Sequence, residues 1–584
     1  MLSFVDKGLI HYATFAAQNE NISRDADPVF AFNRNGADRY HRPGVRYWTL
    51  FRPFPASPFS KLRQRRNINE RLRSLHFARV VLVYSKLSIL PGTTRLMGGG
   101  ESCCHPIGGI AMQLSRRQLL ASGVGVVAAM SLAPVPARTA GQRVRFGATT
   151  PDGKRMLEAY AKGVAGMKAL SGADPKSWTF QWYTHWVRGD SDKLIELANF
   201  FGDTNNPAKD LANLMWSSCQ PHGSGMNPYN FLPWHRACLL YFEEIVRRVS
   251  GVDEFTLPYW DYTVDGVLPE EFRKPGDPVW GVLYVDERRG SVNSGASITT
   301  AAVNLNALRN PSYYDSAIRQ GFNNQVDGGV HGAVHVNVGT TQNMGSVDFA
   351  GRDPIFWLHH CNIDRIWAAW NKAGRANPTD SGWTDIKHVF ADKDGNRIET
   401  TNGDVSSLSN VGYSYDTLPP APSAQAAELI VLAQAVEPLA RNAETVSLAQ
   451  DVATASLAPL SPASTAMLGA LGNARLLLVI DGITASAQPG TVFDVYGKVG
   501  NNAPDKGVYL GSVNFFDAVP LGQQGARPKR LVFDVTDALR QANVALTQID
   551  VFTYYFVPVD PVAAGSDPVI QRVELVRETA PSGG

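Results

Sequence analysis

Cysteine is scarce in this chain, with five in 584 residues, at Cys103, Cys104, Cys219, Cys238 and Cys361. They form no CxxC pair and no regular spacing, which excludes a zinc ribbon and a disulfide framework as the source of the fold. An excess of charge of one sign is also missing. Fifty-five Lys and Arg oppose 53 Asp and Glu, a net charge of +2, so there is no electrostatic footprint for a nucleic-acid partner. Arginine is concentrated in residues 1–111, and the rest is near neutral or acidic. With 44% hydrophobic and 18% charged residues the composition is that of a globular protein, long enough for two or more domains.

Residues 112–137 read MQLSRRQLLASGVGVVAAMSLAPVPA. Arg116 and Arg117 form a twin-arginine pair, and Val135-Pro136-Ala137 is a small-residue cleavage pattern. The uncharged apolar run between them is about fifteen residues, short of the roughly 20 a membrane span needs. The segment therefore reads as a twin-arginine signal, which implies the corresponding export machinery as a partner and a periplasmic or secreted location. Met112 is then the expected start, residues 1–111 a non-native or disordered extension, and Arg138 the first residue of the mature chain.

Apolar periodicity and capping residues predict three helices. The first covers 150–170, with Thr150 as N-cap and Pro151 in the first turn; the second covers Pro233 to about Val249, stopped by Gly251. The third has Asp353 as N-cap, then Pro354, and runs to Gly374. Residues 417–470 are rich in Ala, Ser, Pro and Leu and read as a linker. From 471 to 584, short runs such as RLLLVIDGI, TVFDVYGKV and DVFTYYFV predict a β-sandwich. The expected architecture is thus a mainly α domain over 138–416, a helical bundle with long loops, followed by that sandwich.

Histidine carries the chemistry. Eight of twelve follow residue 137: His185, His222, His235, His331, His335, His359, His360 and His388. In HGAVH, His331 and His335 stand four apart, so a helix projects both from one face toward one metal. The HExxH glutamate of a zinc protease is absent. All-imidazole ligation suits copper, which stands high in the divalent affinity order. A single histidine is commonly a hydrogen-bonded structural residue; six in two groups set in Trp-rich apolar sequence are not explained that way.

FLPWHR (231–236), LPYWDY (257–262), GRDPIFWLHHCNIDRIW (351–367) and VGYSY (411–415) resemble the motifs of the tyrosinase, catechol oxidase and hemocyanin family. The resemblance implies a dinuclear copper site, with His185, His222 and His235 on one ion and His331, His335 and His360 on the other. His359 is then a neighbour and not a ligand. It implies a phenol oxidase using O2 to hydroxylate monophenols, to oxidise o-diphenols to o-quinones, or both, and a C-terminal domain that shields the site. Asp364, one turn after His360, is a candidate for orienting an imidazole; the alternative is a surface ion pair with Arg365 or Lys372. Cys219, three residues before His222, is a candidate for a thioether to that histidine. Relatives often carry a glutamate a few residues before the first histidine of the second site to take the phenol proton. Asp327 there is a shorter acid, and Gly332 stands where some strong tyrosinases have Asn, two departures that count against efficient hydroxylation. Val347, at a gate position that is often bulky, would instead open the site to larger phenols. For the shielding side chain, Tyr554, Tyr555 and Phe556 are candidates because they cluster, although burial in the β core is the simpler role for each. An o-aminophenol oxidase and a hemocyanin-type oxygen carrier are the rival readings on the same copper pair.

Overall fold

The structure is a computed structural model. It describes residues 143–584 apart from 223–225, 299, 423–434, 450, 470–473, 523 and 580–584. The signal at 112–137 and the preceding extension lie outside the described residues. No described helix is long and apolar enough to cross a membrane.

The N-terminal part is helical. Strand β1 (Arg143–Arg145) pairs in parallel with β2 (Tyr413–Tyr415), tying the start of this part to its end. Helix α1 is Pro151–Ala169 and opens on Thr150, whose side chain accepts from the amide of Gly153. Helix α2 is Trp178–His185 and α3 is Phe231–Ser250, which stops at Gly251 in the left-handed conformation. Helix α4 is Gly332–Val338, and α5 is Pro354–Lys372. Gly163 of α1 is the reason α1 and α3 pack so closely, since a Cβ there would lie 2.7 Å from Cγ1 of Val246. Between α2, α3 and α5, Phe242 and Trp357 stack with ring centroids 3.5 Å apart, and Trp178 meets both edge-on.

Helix α5 begins as expected. Asp353 caps Ile355 N and also receives both Arg288 Nε and Nη2 at 2.8 and 2.7 Å, with Asn343 Nδ2 at 3.0 Å. This wholly buried pair fixes the start of the helix that carries His359 and His360.

The C-terminal part consists of β3 (Ala435–Asn442), β4 (Val446–Ser447), β5 (Ala453–Pro459), β6 (Arg475–Thr484), β7 (Phe493–Val499), β8 (Val508–Val513), β9 (Lys529–Asp534), β10 (Ile549–Pro558) and β11 (Val569–Thr579). Two expectations need correction here. The range 417–470, read as a linker, contributes three strands. In β5, ATASLAP, alternate residues are buried, so small residues suffice where neighbouring strands supply the bulk. The strands also lie in one hydrogen-bonded path, β8-β7-β10-β5-β3-β11-β6-β9, with β4 on β11, and not in two separate sheets. The path curls on itself: a Cβ on Gly511 of β8 would meet the ring of Phe533 of β9. It encloses one core that includes Leu478, Ile480, Phe493, Tyr554 and Phe556. Burial at Tyr554 and Phe556 is therefore structural, and neither reaches the histidines.

Candidate metal centre

Two histidine groups meet at the centre of the helical part. His185 ends α2, His235 lies in the first turns of α3, and His222 stands on the loop before it. His331, His335, His359 and His360 come from the turn before α4, from α4 itself and from α5. All seven are buried. The ring planes of His235 and His360 stack at 4.1 Å, joining the groups. Phe356 sits between them, 4.8 Å from His185 and 4.3 Å from His360. His388 takes no part; its Nε2 bonds Asn402 Oδ1 at 2.7 Å in a separate hairpin.

The hydrogen bonds decide which nitrogen faces inward. Nδ1 of His185 meets Val347 O at 3.0 Å, Nδ1 of His235 meets Phe231 O at 2.8 Å, Nδ1 of His331 meets Asp327 O at 3.2 Å, and Nδ1 of His335 meets Met344 O at 2.8 Å. A carbonyl accepts only, so each Nδ1 carries its proton and each Nε2 is left with a lone pair. Nε2 of His331 and of His335 are 3.1 Å apart. His185 Nε2, His359 Nε2, and both nitrogens of His222 and His360 make no hydrogen bond within the protein. Buried nitrogens without partners are costly unless something else binds them. Burial disfavours the charged form: it lowers His185 to about 3 and pushes His222, His235, His335, His359 and His360 well below their usual value. Neutral, converging Nε2 atoms are the donor set that a borderline or soft metal takes.

The side chains around the histidines depart from expectation in several places. His359, expected as a neighbour, lies beside the second group: one ligand atom from each of His331, His335, His359 and His360 lies within 4.8 Å of the others. Its Nδ1 meets the hydroxyl of Tyr262 at 3.1 Å, a residue of LPYWDY. Asp364 contacts no histidine and is no surface ion pair. It is buried and receives Arg145, Arg236, Tyr413 and Tyr415. The i, i+4 spacing after His360 puts both on one helix, but this carboxylate serves the junction of β2, α3 and α5. Burial pushes its pKa up, yet Arg236 and Arg145 outweigh this and hold it below the usual range. Asp327 stands on the rear of His331, with Oδ1 3.0 Å from Nδ1. The polar partner of the buried Cys219 thiol is His235, at 3.6 Å from Nε2, although a ligand atom of His222 is also within 4.8 Å. Val347 is buried at the mouth, where a cavity of about 600 Å³ is lined by His222, Met226, Val347, Phe516 and Arg527.

Phe516 was not singled out from the sequence. It leaves the β unit just after β8 and stacks on His335 at 3.9 Å and 8°, with His331 at 5.6 Å and His222 at 5.8 Å. Phe515 beside it is buried in the β core. The signal was the adjacent pair itself, because neighbouring residues in extended chain face opposite ways.

A model of the common central domain of tyrosinase matches residues 175–295 and 284–373, the segments that bring in all seven clustered histidines. The chain is 32% identical over 290 residues to the tyrosinase HcTyr1 of Hahella sp. (strain CCB-MM4), a match covering 44% of this chain and 60% of that one. Residues 175–373 of this chain thus resemble the central domain shared by tyrosinases and polyphenol oxidases. Against a chloroplastic polyphenol oxidase of Malus domestica it is 26% identical over 440 residues, 66% of this chain and 70% of that one. The solved structure of a recombinantly expressed latent aurone synthase (polyphenol oxidase) matches with a TM-score of 0.50 at 20% identity, covering 76% of this chain and 91% of that one, a likeness of fold. Tyrosinase-family proteins bind a dinuclear copper site, and here His331, His335, His359 and His360, and separately His185, Cys219 and His222, come close enough to hold a metal ion. The mutual orientation of their free nitrogens fits that pair.

Proposed function

We propose that this chain is a copper-dependent phenol oxidase that oxidises o-diphenols to o-quinones with O2, with monophenol hydroxylation as the weaker activity. The observation that carries this reading is the double cluster of inward Nε2 atoms backed by Nδ1–carbonyl bonds. His185, His222 and His235 would hold one copper and His331, His335 and His360 the other, with His359 bracing His331 by a parallel ring contact at 5.4 Å. When bound, the copper pair supplies electron transfer between the phenol and O2. The overall balance for catechol is two o-diphenols and one O2 giving two o-quinones and two waters.

The protein's own part is positioning. Val347 lines the cavity beside His222 and is small for a gate, so a flat ring would enter without displacing a bulky side chain at that position. Removing a proton from a monophenol needs a base within hydrogen-bond reach of its oxygen. Asp327 is committed to the rear of His331. It acts as a positioning residue, and this is the reason to rank o-diphenols, which need no hydroxylation, above monophenols. Phe516 covers the His335 face, so the β unit would keep the intact chain of low activity. The signal-like stretch at 112–137 supports export to the periplasm or beyond by the twin-arginine route; mass analysis of the exported chain beginning at Arg138 would bear on it.

The test is O2 uptake by copper-loaded protein carrying Phe516→Ala, with catechol and with tyrosine. Faster uptake with catechol than with tyrosine is expected. Equal rates would overturn the ranking. Uptake with neither would overturn the phenol oxidase reading, and a faster rate with an o-aminophenol than with catechol would favour the aminophenol oxidase.

A further inference from the structure

Gly332 follows His331 and opens α4 with φ −62° and ψ −34°, ordinary right-handed helix that any residue adopts. Its backbone gives no reason for glycine, and glycine is a poor helix former. The reason lies across the boundary with the β unit. A Cβ at 332 would lie 2.9 Å from Cγ of Asn514 and closer still to its Oδ1. Asn514 is buried and cannot swing aside freely, because both ends of its carboxamide are held. Nδ2 donates to Gly328 O at 2.7 Å, and Oδ1 accepts from Lys529 Nζ at 3.1 Å. Lys529, itself buried, is also paired with Asp517. Two residues after Asn514 comes Phe516, stacked on His335. Gly328 lies within the π-helical turn Asp327–His331 and Gly332 directly follows it, so a single side chain of the β unit grips the turn that delivers His331.

We propose that Gly332 is a socket keyed to Asn514, and that this fit latches Phe516 over the metal centre. The proposal rests on the reading that Phe516 shields the site, and it adds what determines the closure. Any side chain at 332 lifts Asn514, and with it the 514–517 segment, away from the histidines. The same glycine, read from sequence as a determinant of hydroxylation, is then a determinant of access.

The experiment uses the copper-loaded full chain and two readouts: hydrogen exchange of the 511–519 amides and the initial rate with catechol. Gly332→Ala should speed exchange by about tenfold or more and raise the catechol rate. Asn514→Gln, which makes the overlap from the other side without touching α4, should do the same. In Gly332→Ala with Asn514→Ala the overlap is gone, so exchange should be no faster than in Asn514→Ala alone. Unchanged exchange in both Gly332→Ala and Asn514→Gln, or a double variant whose effects simply add, would overturn the latch. Phe516→Ala separates the two ideas. A raised catechol rate there with no exchange response at 332 sinks the latch alone, whereas an unchanged rate sinks the shielding reading and the latch with it.

Discussion

Asp364 holds two buried guanidinium groups and two tyrosine hydroxyls, and its worth depends on all four. Replacing it with Asn keeps the shape and removes the charge, leaving Arg145 and Arg236 without their common counterion. The expected loss is about 3–5 kcal/mol of stability. Urea unfolding of the copper-free protein would measure it, while copper per folded molecule should stay at two, since Asp364 touches no histidine. A fall in copper without a fall in stability would instead make it a partner of the imidazoles. The histidines set the acid response. Folding lowers the pKa of His185, His222, His235, His335, His359 and His360, so the unfolded chain binds more protons below the ordinary value of 6.5. Stability of the copper-free protein should therefore fall as pH drops from 6.5 toward 3, the value His185 reaches. Asp364 shifts the opposite way relative to its charge and contributes above its usual 3.8, so its share is lost only at lower pH. A melting temperature already declining between pH 6.5 and 5 would mark the histidine contribution; a flat profile there would refute it.

Helix α5 carries both members of the His359–His360 pair, and its first turn depends on one carboxylate. Asp353→Ala removes the N-cap, at about 1 kcal/mol, and strands the buried Arg288 guanidinium, at several more. The helix should fray from the end nearest His359, so copper should be lost from the second centre before the first. Copper content during dialysis against a mild chelator would show one ion retained; simultaneous loss of both would mean that α5 is held elsewhere. The expected helices appear within two residues of their sequence boundaries because each has its own local stop and start: Thr150 and Pro151, Gly251, Asp353 and Pro354. The strands of 435–459 lacked such marks. Their Ala, Ser and Pro content has no β preference of its own, and pairing with β10 and β11 made them strands.

The β unit is held on the helical part by polar contacts as well as by Phe516. Arg319 reaches Glu578 and Asp534, Arg289 reaches Asp560, and Arg527 donates to Pro221 O. These ion pairs are only partly buried, so salt screens them. Raising ionic strength should loosen the unit and increase the catechol rate of the intact chain by a few fold, about 0.5–1 kcal/mol in all. Arg319→Ala should give much of that gain at low salt. A rate that falls or stays level with salt would place the closure wholly in the 514–516 segment.

The sequence by itself determined the helices, the histidine set and the family motifs, because caps, 3.6-residue periodicity and ligand residue types are local properties of the chain. It also supplied every atom of the buried Asp364 cluster without indicating that they meet. Tertiary structure alone decided that Asp364 faces arginines, that Asp327 backs His331, and that Phe516 rather than Tyr554 or Phe556 covers the second group. The Asp364 and Phe516 contacts join residues more than 90 positions apart, and the Asp327 contact depends on the side-chain direction within one turn; a one-dimensional pattern carries no term for either.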